Sequence, residues 1–197
     1  MQTLYLFISE KNAAGVQEIK RAVWIIGDVM GKIEIVDDCL APSRYIYMQY
    51  TGTDPYGVAK KIADSLTEFY QISGAGMCQT YFMWDDSSDP RGFYFRWWVK
   101  KSIGGRFSTM WNYIWVRGEV SKEDNQGHFT LRIHGDLRTT FEGHGPILNT
   151  LWHLYSFFFY NKVRRKYIDF CRKTALDFRN EMREHYNLEI AIEHGER

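Results

Sequence analysis

An antiparallel α+β fold is predicted for this chain of 197 residues by three features. The first is a set of runs, GFYFRWWVK (92–100), FSTMWNYIWVRGEV (107–120) and HFTLRIHGDLRTTF (128–141), that alternate with the period of strands having one buried face. The second is their punctuation. Gly104-Gly105 can take the positive φ of a tight hairpin, and KEDNQG (122–127) is rich in turn formers. The third is an apolar periodicity of three to four residues over 146–187, framed by Gly145-Pro146 and by Asn187, which reads as a long final helix.

Ahead of the meander, residues 3–9 read as a buried strand. A helix is expected from about Asn12, because Val16, Ile19, Val23, Ile26 and Met30 recur at helical spacing and Gly31 can close it. Strands follow at 32–36 and 44–50, with Ala41-Pro42-Ser43 in the turn between them. Asp54-Pro55 caps and opens a second helix whose stripe is Val58, Ile62, Leu66 and Phe69. Gly74 and Gly76 lead into a strand over 77–84. This order, β-α-β-β-α-β over 1–85, is the ferredoxin-like arrangement, extended by the meander over 91–142. A helix-grip layout, with all strands in one sheet curved around the last helix, fits the same pattern. Nothing resembles a linker or repeat, so a single domain over 1–197 is expected.

A continuous helix over 146–187 would be ~60 Å long at the standard rise, so it breaks near 161 or projects. Its first half is apolar all round and reads as a buried or interface helix, and its second half is amphipathic. A projecting amphipathic helix favours a homo-oligomer.

Two-residue turns at Gly104-Gly105 and Asp124-Asn125 set a definite register. They place Arg96 opposite Tyr113, Trp98 opposite Trp111, Trp115 opposite His134, and Arg117 opposite Arg132. One face then holds Phe93, Phe95, Trp97 and Val99, with Met110, Ile114, Val116 and Val120, and with Phe129, Leu131, Ile133 and Leu137. That face is core. The other carries Arg96, Trp98, Trp111, Tyr113, Trp115, Arg117, Arg132 and Arg138. An Arg117–Arg132 pair would be repulsive unless an anion lay between them. Aromatic side chains beside arginines also pack through cation–π contacts under a covering helix, with no ligand involved.

Composition narrows the function classes. A net charge of +1 removes any global field toward nucleic acid or acidic membrane, so attraction must come from a local patch. Aromatics at 17% exceed what a core requires and favour an aromatic surface. The three cysteines, Cys39, Cys78 and Cys171, include no CxxC pair and read as reduced thiols. The start of the chain lacks a basic n-region, and the apolar block over 147–160 is shorter than the ~20 residues of a membrane span. The expected location is cytoplasmic.

A non-catalytic binding protein is the leading functional expectation, its aromatic–arginine face holding a small anionic or amphipathic ligand with an apolar or aromatic body. Single-stranded nucleic acid on the same face is the alternative, with bases stacked on the aromatics. So is a structural subunit using the face as a homo-oligomer interface. His134 and Asp136, two apart on one strand, are the catalytic candidates for a general base. Asp85, Asp86 and Asp89 cluster oxygen ligands, but they lack the Gly bend and later Glu of a calcium loop and read as a turn. His144 and His153 have no second ligand at a metal spacing, and no motif implies a cofactor. The cluster Lys162, Arg164, Arg165 and Lys166 reads as a solvated basic turn.

Overall fold

The computed structural model describes residues 3–11, 17–27, 32–104, 107–142, 151, 154, 155, 158 and 160–191, with nearly all of their side chains beyond residue 33. Its elements are β1 (Thr3–Lys11), β2 (Gln17–Gly27), β3 (Lys32–Asp38), β4 (Ile46–Thr53), α1 (Pro55–Phe69), β5 (Met77–Asp85), β6 (Arg91–Ser102), β7 (Ser108–Val120), β8 (Gln126–Glu142), α2 (Asn161–Tyr186) and β9 (Glu189–Ala191). The fold is α+β. Seven strands run in the order β1-β2-β3-β8-β7-β6-β5, and β4 bonds to β8 and to β9. Every pairing whose register is described is antiparallel.

The ferredoxin-like order does not form, because residues 17–27 are a strand where a helix was expected. Ile19, Val23 and Ile26 sit at helical spacing, yet Ile19, Val23, Ile25 and Ile26 are β-branched and equally suited to a pleated strand. Tertiary pairing decides the matter. β2 is bonded on both sides, to β1 from Thr3↔Ile26 to Lys11↔Gln17 and to β3 from Trp24↔Val36 to Gly27↔Ile33. The ends of the expected helix, at Asn12, Val16, Met30 and Gly31, lie outside the described residues.

The chain divides into two compact units, one of residues 1–44, 102–111 and 135–173, the other of residues 45–101, 112–134 and 174–197. In the first, Ile35, Phe141 and Tyr160 form a buried cluster with Phe107 and Tyr167 packed against it. The Tyr160 hydroxyl lies 2.7 Å from Ser108 Oγ, which is 3.2 Å from Thr139 Oγ1, so three buried hydroxyls satisfy one another. Asp37, 3% exposed, pairs with Arg164 of α2 at 3.3 Å. Thus the basic cluster is helix rather than turn, and one of its arginines points inward.

Cys39 and Cys171 form a disulfide between the segment after β3 and α2, spanning 132 residues with Cα atoms 5.9 Å apart. This corrects the expectation of reduced thiols; spacing of that length carries no pairing signal. Arg172, the next residue, donates from Nε to the Cys39 carbonyl at 3.0 Å and from Nη2 to Ala41 O at 2.8 Å. Cys78 is free and exposed.

In the second unit Asp54 caps α1 as expected, its Oδ1 accepting from Gly57 N at 3.0 Å with Pro55 at the first position. Ile62 and Leu66 are fully buried. Phe178 of α2 meets Phe69 and Tyr70 with ring centroids 5.2 and 5.7 Å apart. Tyr56 of α1 contacts Phe93 and Phe95 on the apolar side of β6. On that side Gly118 admits no side chain, since a Cβ would lie 2.5 Å from Phe129 Cβ and 2.6 Å from the Phe93 ring. All twelve side chains expected on the core face are buried.

The α-helix α2 runs from Asn161 to Tyr186 and ends before Asn187 at φ 55°. Ile168, Cys171, Ala175, Phe178 and Met182 supply its buried stripe at three- and four-residue spacing. Leu151, Leu154, Tyr155 and Phe158 are exposed rather than buried, so the apolar first half does not face the core at these positions. Its expected start at Gly145-Pro146 lies outside the described residues.

Two measurements test this framework. Reduction, or Cys171→Ala, should lower the unfolding free energy by about 2–5 kcal/mol. Thiol labelling of the unreduced, denatured chain should then modify Cys78 alone. Burial raises the Tyr160 phenol above its ordinary value of 10.0, against the lowering effect of its Ser108 hydrogen bond. Its stabilising contribution is therefore complete below pH 10 and lost as pH rises through the raised folded value. Urea unfolding at stepped alkaline pH should show that loss, and Tyr160→Phe should reduce it.

Candidate functional site

Alternation along β6, β7 and β8 sends the apolar side chains to the side that carries the helices and the aromatic–arginine set to the other. Both described helices meet core-face residues: α2 through Tyr167, packed on the cluster of Ile35, Phe141 and Tyr160, and α1 through Tyr56 against Phe93 and Phe95. These contacts set the helices against the apolar side of the strands.

Both hairpins differ from the expected turns. Ile103 N donates to Ser108 O at 3.1 Å, and Gly104 adopts φ 41°; Gly105 lies outside the described residues. Likewise Ser121 N donates to Gln126 O at 2.8 Å, with Asn125 at φ 55° and the Asp124 carboxylate accepting from Gln126 N. Each closing pair spans four intervening residues rather than two, and the register moves by two. A like-charge pair of Arg117 and Arg132 is thereby replaced by Arg132 over Trp115.

Trp115 of β7 is the centre of the resulting cluster in the second unit. The Arg132 guanidinium of β8 lies 4.5 Å from its ring centroid, and that of Arg96 on β6 lies 5.9 Å away. Arg132 also lies 4.8 Å over Tyr45, which meets Trp115 edge-on at 6.0 Å. Tyr113 stacks between Trp115 at 5.9 Å and His134 at 6.2 Å, and His134 is 5.4 Å from Tyr45. Tyr45 was not among the expected site residues. Its signal is the alternation in RYIYMQY, which puts Tyr45 and Tyr47 on the side opposite Ile46 and Met48, and Tyr47 pairs across from Arg132.

Arg96 is exposed and Arg132 half-buried, and among the described residues neither guanidinium has a carboxylate partner. Two cations thus approach one indole. Stacking occupies the faces of these groups and leaves their in-plane N–H donors suited to an anion. Arg117 is exposed and Trp98 half-buried, both on the same side of the strands by parity.

Arg138 and Trp111 belong to the first unit. Arg138 lies 4.7 Å over Trp111, but its Nη1 is 3.8 Å from the Glu34 carboxylate, so its charge is already matched. Asp136 registers across from Asp38 of β3. His134, the other catalytic candidate, is buried between tyrosine rings.

The aspartates of the 85–90 loop are taken up locally. Asp85 Oδ1 accepts from Ser87 N at 3.0 Å and from its hydroxyl at 2.6 Å, which holds this carboxyl below its ordinary pKa. Asp86 pairs with Arg91 at 2.6 Å and Lys122 at 3.4 Å, and Asp89 accepts from Lys122 N at 3.0 Å. Among the described residues no three His, Cys, Asp or Glu side chains are grouped to hold a metal ion. His144 and His153 lie outside them. A cavity of about 370 Å³ opens beside this loop, lined by Asp89, Glu119, Ser121, Gln126 and His128, away from the arginine cluster.

Low-millimolar inorganic pyrophosphate should raise the melting temperature relative to chloride at equal ionic strength. Arg132→Gln should remove that difference, and Arg138→Gln should retain it. Comparing variants in the same salts cancels the general stabilisation that excluded anions produce.

No protein-family model matches the chain, and neither does any curated protein or solved structure.

Proposed function

We propose that this is a non-catalytic binding protein whose aromatic–arginine face holds an anionic ligand with an apolar or aromatic body. The observation that carries the reading is Arg132, a half-buried cation laid between Trp115 and Tyr45 with no carboxylate partner among the described residues. The ligand's flat body stacks beside Trp115 and Tyr113, and its anionic group takes the in-plane donors of Arg132 and Arg96. Arg138, matched by Glu34, contributes packing rather than ligand charge. A helix-grip description belongs with this proposal, since helices on the apolar side leave the other face for the ligand. No described helix is long and apolar enough to cross a membrane. The Cys39–Cys171 bond argues against the reducing compartment that was expected.

The test uses 8-anilinonaphthalene-1-sulfonate, which joins an aromatic body to one anionic group. The intact protein should bind it with unit stoichiometry while retaining near-UV circular dichroism, which separates a site from the general dye uptake of a loosened core. Trp115→Ala and Arg132→Gln should each weaken binding by about tenfold, the worth of one stacked or charge-assisted contact. Arg138→Gln should leave it unchanged. Binding that ignores the first two substitutions defeats the proposal. Tighter, steeply salt-dependent binding of a ten-residue oligothymidylate would move the face to single-stranded nucleic acid.

A further inference from the structure

β5 ends the sheet order, and among the described residues its one strand neighbour is β6. Eight of its nine residues are exposed. Tyr81, Phe82, Met83 and Trp84 follow one another along it at 51%, 47%, 43% and 37% exposure. An edge strand carries a row of backbone donors and acceptors open to a further strand, and proteins ordinarily blunt it with lysine, proline or inward charge. β5 has none of these between Met77 and Trp84. Its register does shift between Gln79 and Tyr81, where Thr80 instead bonds through its hydroxyl to Arg96 O at 3.2 Å. That irregularity leaves Tyr81 to Asp85 as regular ladder.

We propose that β5 is a homodimerisation edge that pairs antiparallel with β5 of a second copy of this chain, about a dyad through Met83. A dyad normal to the sheet keeps each face on its own side, so directly opposed residues must come from the same face. Phe82 and Trp84 share the α1 side, Phe82 stacking on Phe95 at 5.2 Å and Trp84 meeting Tyr56 at 4.7 Å. Tyr81 contacts Tyr94 on the other side, at 5.5 Å. A dyad at Met83 therefore sets Phe82 of each copy against Trp84 of the other, an aromatic cross-strand pair made twice. No charge opposes a like charge in that register.

The area suits a second copy. With roughly 200 Å² for each of these large side chains, three aromatic and one methionine, their exposed fractions amount to roughly 350 Å² per copy. Two copies together bring on the order of 700 Å², the scale of a weak dimer whose population depends on concentration. The pairing is independent of the ligand reading, though it sets the two aromatic–arginine faces on the same side of one continued sheet.

Sedimentation velocity of the full chain from 1 to 100 µM should show a concentration-dependent dimer. Phe82→Lys and Trp84→Lys should each shift the midpoint at least tenfold or leave monomer, with the circular dichroism spectrum unchanged. Should a lysine variant fail to fold, Met83→Cys in a Cys78→Ser background decides. Opposed Cα atoms at a dyad are ~4.5–5.5 Å apart, within reach of a disulfide. Mild oxidation should then yield a covalent dimer, while Lys122→Cys in the same background should not. A monomer at 100 µM overturns the proposal. So does a dimer that survives both lysines, or one that Met83→Cys fails to cross-link.

Discussion

One strand constrains most of this molecule. β8 runs for 17 residues and bonds to β3, to β4 and to β7, so its alternation must suit three neighbours at once. Phe129, Leu131, Ile133, Leu137 and Phe141 are fully buried on one face. Arg132 and Arg138 lie on the other, each over an indole ring of β7. Because side chains alternate strictly along a strand, a slip of one residue against any neighbour would bury the arginines and expose the phenylalanines. Core, helix placement and the polar face are therefore settled by the same register.

Three arginines show how placement decides what a cation does. Arg164 is turned inward to Asp37, where burial makes a partner obligatory. Arg138 stacks on Trp111 and meets the half-buried Glu34 carboxylate. Arg132 stacks on Trp115 and Tyr45 with no carboxylate partner among the described residues, and Arg96 approaches the same indole. A cluster of that kind is stable without ligand, since cation–π contact and partial solvation both favour the charge. It still leaves a local positive potential on a chain of net charge +1. The functional reading rests on that asymmetry among arginines that composition treats as equal.

Aromatic surface recurs for a different reason at β5. On the arginine face the rings are half-buried and packed on one another, whereas along β5 they stand out from an edge whose backbone is open. The first arrangement underlies the proposed ligand site, the second the proposed dimer edge. Both arise from the same excess of Tyr, Phe and Trp, and only their place in the sheet distinguishes them.

Local pattern determined a good deal. The two faces of the meander, the Asp54 cap of α1, the aspartate turn and the end of the last helix at Asn187 were all legible, because each depends on residues near in sequence. Tertiary structure decided the rest. Residues 17–27 became a strand because β1 and β3 bond to both their edges, which outweighs helical spacing. The hairpins closed over four residues, so Arg132 met Trp115 in place of Arg117. Cys39 found Cys171 across 132 residues, and Tyr45 joined the site from a segment remote from the meander. Spacing carries face and cap because these are local; it does not carry partners, which the folded chain brings together from afar.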